Sequence, residues 1–155
     1  MNNLRRNVLK GAGATGVVSV AIAAGLLKPG MALADWNKAA FGSTDLAGAV
    51  NGIGAGSATP SADIKVDAPD IAENGAVVPV TIISSIAGTD SIAIIGEKHA
   101  YPLIADMKFS NGAEPYVQIR IKLAATANVL AIARAGGKVY KAHKEVKVTI
   151  GGCGG

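Results

Sequence analysis

The fold class is indicated most clearly by the eight residues YVQIRIKL at positions 116–123. Apolar and polar side chains alternate along them, which is typical of a β-strand that buries one face. The same alternation recurs at residues 63–68 and 145–150, and apolar runs at residues 77–83, 92–95, 103–109 and 129–133 indicate further strands. The pattern predicts about seven or eight short strands.

Residues that favour turns separate these strands. They form the groups Glu73-Asn74-Gly75, Gly88-Thr89-Asp90, Ser110-Asn111-Gly112 and Ala135-Gly136-Gly137. Hairpin connections require such residues, so we expect an all-β fold, an antiparallel immunoglobulin-like β-sandwich over residues 63–150. A small barrel is the alternative, and the lack of a repeat of fixed period disfavours a solenoid or a propeller.

A different pattern precedes the strands. Residues 35–50 have spaced apolar side chains, with Ser43, Thr44 or Asp45 available as a helix N-cap, and predict one or two short helices. Residues 51–62, NGIGAGSATPSA, are rich in Gly, Ser and Ala and predict a linker or loop.

The first 34 residues have the features of an export signal. Arg5 and Arg6 form a twin-arginine pair, and an apolar stretch at residues 11–27 follows. That stretch is shorter than the roughly 20 apolar residues of a membrane-spanning helix, although a retained membrane anchor is the alternative. The small residues around Ala34 predict cleavage after it, following export by the twin-arginine translocon to the periplasm.

The charge balance depends on this signal. The chain has 15 Lys and Arg against 11 Asp and Glu, but residues 1–34 contain four of the basic residues and none of the acids. The remainder is therefore neutral and has the length of a single domain. Nucleic acid and anionic membranes are not expected partners, since both select a basic surface.

Few residues are available for catalysis. His99 and His143 have no neighbouring ligands at metal spacing, so neither a metal site nor a cofactor is expected. Carboxylates such as Asp67, Asp70 and Asp90 lie near predicted turns, where acids are common. Since no catalytic motif is present, we do not expect the chain to be an enzyme.

The single cysteine, Cys153, lies near the C-terminus in the sequence GGCGG. An odd cysteine in an exported protein suggests a reactive thiol or an intermolecular bond. Its neighbours are Gly151, Gly152, Gly154 and Gly155. Glycine accepts nearly any backbone conformation, so these residues predict a thin, flexible arm that extends about 10 Å from Ile150 to the thiol. An exposed thiol is mostly protonated near neutral pH, and its activation must come from a partner.

The last ten residues, VKVTIGGCGG, resemble the C-terminus of the SoxY family, the sulfur-carrying subunits of the bacterial Sox thiosulfate-oxidising system. Residues 71–80, IAENGAVVPV, are similar to the family's A-x-N-G-x-x-V-P-V segment, and the twin-arginine signal agrees. The resemblance covers essentially the whole chain. One departure is HAYP at residues 99–102, where an Asn-Pro-type turn is expected.

The resemblance implies that Cys153 carries sulfur intermediates. A Sox haem enzyme would conjugate thiosulfate to it oxidatively, a separate hydrolase would release sulfate, and a sulfane dehydrogenase would act on the remaining sulfur. The glycines at positions 151, 152, 154 and 155 would form a swinging arm. The resemblance also implies a heterodimer with SoxZ, a second small β-sandwich protein without the carrier cysteine, and the two-sided apolar run at residues 77–83 suggests an apolar face for that subunit.

Two other functions are compatible with parts of the sequence. An exported interaction module would use Cys153 for an intermolecular disulfide and nothing else. A ubiquitin-like carrier would be activated at the carboxylate of Gly155, but export and the strand pattern disfavour it. Prenylation is excluded because only two residues follow Cys153 and the signal needs three.

Overall fold

The computed structural model describes residues 37–149. The chain divides into two units, Met1–Trp36 and Asn37–Gly155, and all of the described residues belong to the second. Its elements in chain order are α1 (Lys38–Phe41), α2 (Leu46–Gly52), β1 (Thr59–Pro60), β2 (Ile64–Asp67), β3 (Ile71–Ala72), β4 (Val78–Ser84), β5 (Thr89–Gly96), β6 (Leu103–Lys108), β7 (Tyr116–Ile121), β8 (Ala127–Ala135) and β9 (Lys138–Val148).

The strands form two sheets. The larger has the order β1-β9-β8-β5-β6, with β3 also paired to β9, and the smaller has the order β2-β4-β7. The short strands β1 and β3 run parallel to β9, while the other neighbours are antiparallel. Apolar side chains of both sheets share one core, so the all-β sandwich prediction is confirmed and the immunoglobulin-like description is compatible with it.

Strand β4 shows how the alternation builds this core. Val78, Val80 and Ile82 are fully buried, whereas Pro79 and Ile83, at alternate positions, are exposed. Each buried side chain of this size contributes about 1.5–3 kcal/mol relative to exposure. Strand β5 differs, because all six residues of its C-terminal part are buried and both of its faces are therefore covered.

The two helices cover the outer face of the larger sheet. Asn37 caps α1 by accepting a hydrogen bond from the Ala40 amide, and Asp45 caps α2 by accepting one from Gly48. The prediction of one or two short helices is thus confirmed, with Asp45 as the cap among the three candidates. The second core under these helices comprises Ala40, Ala49, Ile53, Ala55, Ala93, Ile95, Leu103 and Ile132.

Residues 51–62 are more ordered than the predicted linker or loop. Helix α2 continues to Gly52. The next apolar residues, Ile53 and Ala55, are only 7% and 2% exposed, and strand β1 pairs with β9. The Gly and Ser content suggested a plain connection, but the apolar residues spaced within it bury themselves against the sheet. The segment therefore belongs to the packed layer over the larger sheet.

Two of the predicted turns have the backbone that glycine favours. Gly136 and Gly137, between β8 and β9, have φ of 55° and 76°. Asn111 and Gly112, between β6 and β7, have φ of 56° and 76°. Two successive positive φ angles are typical of the tightest hairpin turns, and Gly136-Gly137 form such a turn between the paired strands β8 and β9. The prediction of a hairpin at Asn111-Gly112 is wrong, because β6 and β7 belong to different sheets and the turn there carries the chain from one sheet to the other.

Candidate functional site

The last strand of the sandwich leads directly to the cysteine segment, and both of its edges are paired near that end. Val146 is fully buried and pairs with Ala127 of β8. On the opposite edge, β3 pairs in parallel with Lys147 and Val148. The end of β9 therefore lies inside its sheet, with a paired strand on each side.

Hydrogen bonds from neighbouring loops extend this anchoring to the last described residue. The Val148 amide donates to Oγ1 of Thr126 at 3.0 Å. The Thr149 amide donates to the Ala72 carbonyl at 3.2 Å, and its hydroxyl donates to the Glu73 carbonyl at 3.3 Å. Each hydrogen bond of this kind contributes on the order of 1 kcal/mol, so the chain stays attached to the sandwich through Thr149. We call residues 146–149 the arm root.

A charged pair lies beside the arm root. Nζ of Lys144 is 2.9 Å from Oδ1 of Asp70, whose carbonyl also accepts from the Lys147 amide at 3.0 Å. The hydrogen bond and positive charge of Lys144 lower the pKa of the Asp70 carboxyl, and the charge of Lys147 adds to this effect. Because the Asp70 side chain is 88% exposed, solvent screens the pair and its contribution to stability is small.

The residues that carry the resemblance at 71–80 lie directly against the arm root. Ala72 and Glu73 accept the bonds from Thr149, while the Gly75 carbonyl accepts from the Leu123 amide at 2.7 Å. The Asn74 side chain accepts from the Ala76 amide at 2.8 Å and closes the intervening turn. This segment therefore fixes the position from which the final residues leave.

The predicted functional residues themselves lie outside the described residues. These are Cys153 with its flanking residues Gly151, Gly152, Gly154 and Gly155, the signal residues Arg5 and Arg6, and the cleavage position Ala34. Cys153 follows Thr149 by four positions, and a chain of that length spans at most about 14 Å. The Cα atom of Cys153 is therefore confined to that distance from Thr149, and its thiol lies at most a side-chain length further out.

The two histidines do not gather other ligands around them. Nδ1 of His99 lies 2.9 Å from the Tyr101 carbonyl, and His143 is exposed on β9. Over residues 37–149, no three His, Cys, Asp or Glu side chains form a group that could hold a metal ion. Within the same range, no helix has the length and hydropathy to cross a membrane.

The sequence alone did not reveal how the arm root is held. Strand β3 is only two residues long, and Thr126 lies in a stretch of small residues, so neither has a distinctive pattern. The one available signal was the conformationally specific sequence Asn74-Gly75, which predicted a turn but not its contact with the final strand.

The described chain is a small β-sandwich whose last strand is paired on both edges near its end, and the sequence after that strand contains the single cysteine. The family profile described as "Sulfur oxidation protein SoxY" matches residues 51–153. The structure is also similar to the sulfur carrier protein SoxY from Chlorobium limicola f thiosulfatophilum, with 38% identity and a TM-score of 0.63 over 73% of this chain and 99% of that one. The chain belongs to the SoxY family, and its role is that of a carrier in sulfur oxidation.

More distant similarities do not bear on function. A superoxide reductase (neelaredoxin) from Ignicoccus hospitalis is 21% identical over 55% of this chain and 79% of its own, with a TM-score of 0.46. Similarity at this level carries no argument about chemistry. No curated protein sequence matches the chain significantly.

Proposed function

We propose that this protein is a periplasmic carrier that holds thiosulfate-derived sulfur on Cys153 and presents it to partner enzymes. The observation that carries the proposal is the arm root, which is hydrogen-bonded on both edges through Thr149, four residues before the thiol. A rigid base with a short glycine-rich extension allows the thiol to enter another protein while the sandwich remains outside. The protein acts as a substrate carrier and the enzymes supply catalysis.

The loading step is an oxidation. The Cys153 thiol and thiosulfate form a sulfur–sulfur bond, releasing one proton and two electrons: Cys-SH + S₂O₃²⁻ → Cys-S-S-SO₃⁻ + H⁺ + 2e⁻. The partner haem enzyme takes the two electrons. Because a free thiol is mostly protonated near neutral pH, we assign its deprotonation to the site of that enzyme.

The second step is a hydrolysis. Water attacks the terminal sulfur and breaks its bond to the neighbouring sulfur: Cys-S-S-SO₃⁻ + H₂O → Cys-S-SH + HSO₄⁻. This step needs no external oxidant or reductant, so a hydrolase is sufficient to catalyse it. A sulfane dehydrogenase then takes six electrons from the outer sulfur of the persulfide, with water as the oxygen source: Cys-S-SH + 3H₂O → Cys-S-SO₃⁻ + 7H⁺ + 6e⁻. A second hydrolysis, Cys-S-SO₃⁻ + H₂O → Cys-SH + HSO₄⁻, breaks the sulfur–sulfur bond and returns the free thiol.

The carrier works as a heterodimer with a SoxZ-like β-sandwich subunit, which we assign to the outer face of the smaller sheet. Support comes from the run at residues 77–83, in which Ile83 is exposed and pairs with the exposed Tyr116 of β7. Export by the twin-arginine translocon, with cleavage after Ala34, would deliver the chain to the periplasm before it meets these partners.

Mass spectrometry of the intact protein tests the proposal. The chain is purified without reductant from the periplasm of its native host, and fragments are mapped. We expect adducts of added sulfur or thiosulfate on Cys153 that reductant removes, whereas a folded Cys153→Ser variant carries none. A free thiol or a plain disulfide dimer in the wild type would contradict the carrier function and favour an interaction module.

A further inference from the structure

We propose that Asn74 is a site of spontaneous deamidation, and that its conversion to isoaspartate releases the arm root from the sandwich. The modification requires no enzyme, because its only co-reactant is water. Asn74 lies in the turn after β3, directly after Ala72 and Glu73, whose carbonyls accept the hydrogen bonds from Thr149. A chemical change at this one side chain therefore acts on the segment that fixes the position of the final residues.

The reaction begins with an attack by the backbone nitrogen of Gly75 on Cγ of Asn74. A nitrogen–carbon bond forms and the side-chain nitrogen leaves as ammonia, taking the amide proton with it, so that a succinimide ring closes. Water then opens the ring. Breaking the bond from the ring nitrogen to Cγ gives aspartate, whereas breaking its bond to the former backbone carbonyl carbon gives isoaspartate. The net change replaces ammonia by water, so no oxidant or reductant is needed.

The surroundings of Asn74 favour this attack. The next residue is glycine, which has no Cβ to hinder the approach of its nitrogen. Although Gly75 is buried, its amide makes no hydrogen bond within residues 37–149, so no acceptor competes for it. The side-chain carbonyl of Asn74, which is an exposed residue, accepts from the Ala76 amide at 2.8 Å. That amide stabilises the negative charge that the oxygen gains during the attack, as an oxyanion-hole donor does.

Two other Asn-Gly pairs in the chain lack this arrangement. Gly52, in the pair Asn51-Gly52, is the last residue of α2 and packs against Ala40, and helical hydrogen bonding occupies its amide. The pair Asn111-Gly112 lies in the exposed connection between β6 and β7. In the part of the chain that the structure describes, no hydrogen bond reaches the side-chain carbonyl of Asn51 or Asn111. The donor to the side-chain carbonyl is therefore particular to Asn74 among the three.

Isoaspartate at position 74 changes the course of the main chain. The chain then runs through Cβ and Cγ of this residue and is longer by one carbon atom. The former Asn74 carbonyl, which accepts from the Val77 amide at 3.4 Å, leaves the main chain and becomes part of a free carboxylate. The turn from residue 74 to residue 77 therefore cannot keep its geometry.

The displacement falls on the side of the turn that holds the arm root. On the other side, the Leu123 amide holds the Gly75 carbonyl at 2.7 Å. The two hydrogen bonds from Thr149 are longer, at 3.2 and 3.3 Å, and β3 beside them is only two residues long. We expect these contacts of Thr149 to open, which lets the flexible part of the C-terminal segment begin closer to the sandwich.

Accelerated ageing of the full chain tests the proposal. The purified protein is incubated at mildly alkaline pH, and peptide mapping with an isoaspartate methyltransferase assay locates the products. We expect isoaspartate at residue 74, and its loss in Asn74→Ser. Serine is the matched control because its hydroxyl can still accept from the Ala76 amide but cannot form a succinimide. Both proteins also carry Asn111→Gln, so that the exposed turn between β6 and β7 does not contribute.

Hydrogen exchange measured by NMR reports the effect on the arm root. In aged protein that contains isoaspartate, we expect the Thr149 amide to lose its protection. The amides of β9 that face β8 should keep the rates of the fresh protein, because the pairing of these strands does not involve the turn. Aged Asn74→Ser should exchange as the fresh Asn74→Ser protein does.

Two results would overturn the proposal. If residue 74 remains asparagine in the folded protein but deamidates in urea, the turn protects it and the site is excluded. If isoaspartate forms and the Thr149 amide remains protected, the modification does not release the arm root. Neither result bears on whether Cys153 carries sulfur, because the test involves no cargo and no partner enzyme.

Discussion

The two sheets differ most in what lies on their outer faces. The outer face of the larger sheet is covered by α1, α2 and residues 53–58, which form a second core with it. The outer face of the smaller sheet presents polar residues such as Lys65, Gln118 and Arg120 between its few apolar ones. Within residues 37–149 the sandwich therefore has a third layer on one side only.

The strand sequences record this difference. In β4 every second residue from Val78 to Ser84 is buried, whereas the six residues at the C-terminal end of β5 are all buried. A strand with one covered face alternates, and a strand between two layers is continuously apolar. The unbroken apolar run at residues 92–95 is thus itself a signal of a covering layer.

The largest expected effect comes from the covered face. Ile95→Ala leaves a cavity between the larger sheet and α2, and should lower the free energy of unfolding by about 2–5 kcal/mol. Ile83→Ala, on the uncovered face, should cost less than about 1 kcal/mol in the isolated chain. Urea denaturation of both variants measures the contrast, and equal losses would mean that the two faces are not distinct.

The next effect concerns the side chain that fastens the third layer. Arg134 donates to the Ile53 carbonyl at 2.6 Å, to Ser91 at 3.1 Å and to Asp106 at 3.2 Å. Arg134→Met should cost about 1–3 kcal/mol because it leaves these acceptors without their donor. Hydrogen exchange should accelerate in α2, whereas Arg120→Met on the uncovered face should change neither quantity.

A smaller effect is expected at the start of α2. Asp45 accepts from the Gly48 amide at 2.6 Å. Asp45→Ala should lower stability by about 1 kcal/mol, the usual cost of losing an N-cap. Asp45→Asn keeps an acceptor and should retain most of the stability in thermal unfolding. If both substitutions have the same effect, the charge and not the cap is responsible.

The smallest effect is a pH dependence at the arm root. Lys144 lowers the pKa of Asp70, so the pair stabilises the fold above the usual carboxyl range and this contribution is lost as the pH falls below about 4. The Tm of Asp70→Asn should lie slightly below that of the wild type near neutral pH, and the two should converge in acid. A constant difference at all pH values would exclude the ion pair as its cause.

Much of the sandwich was predictable because alternation and turn residues are local signals. Strands β2 and β4 to β8, the end of β9 and the turns at Asn111-Gly112 and Gly136-Gly137 follow from them directly. The first part of β9, residues 138–144, was not predicted. The short strands β1 and β3 were missed because two residues define no period, and their pairing depends on a distant partner, β9.

The candidate site was predictable to a different degree. Cys153 and its glycines can be recognised from composition alone, but the contacts that hold the arm root cannot. The bonds from Thr126 and Glu73 to the arm root join residues that lie far apart in sequence. Likewise, the sequence shows Arg134 only as a polar residue of β8, and its hydrogen bond to the Ile53 carbonyl becomes apparent only in the structure. Such contacts depend on the tertiary structure, which no local pattern encodes.

The fixed end of β9 also has a consequence for delivery. A thiol whose Cα atom is held within about 14 Å of a fixed point has an effective concentration that is at least on the order of millimolar. Under the proposed function, delivery of the cargo becomes an intramolecular event at that concentration once the sandwich rests on an enzyme. Such an enzyme would have no need to bind the carrier tightly, and dissociation would remain fast enough for one carrier to serve several enzymes in turn.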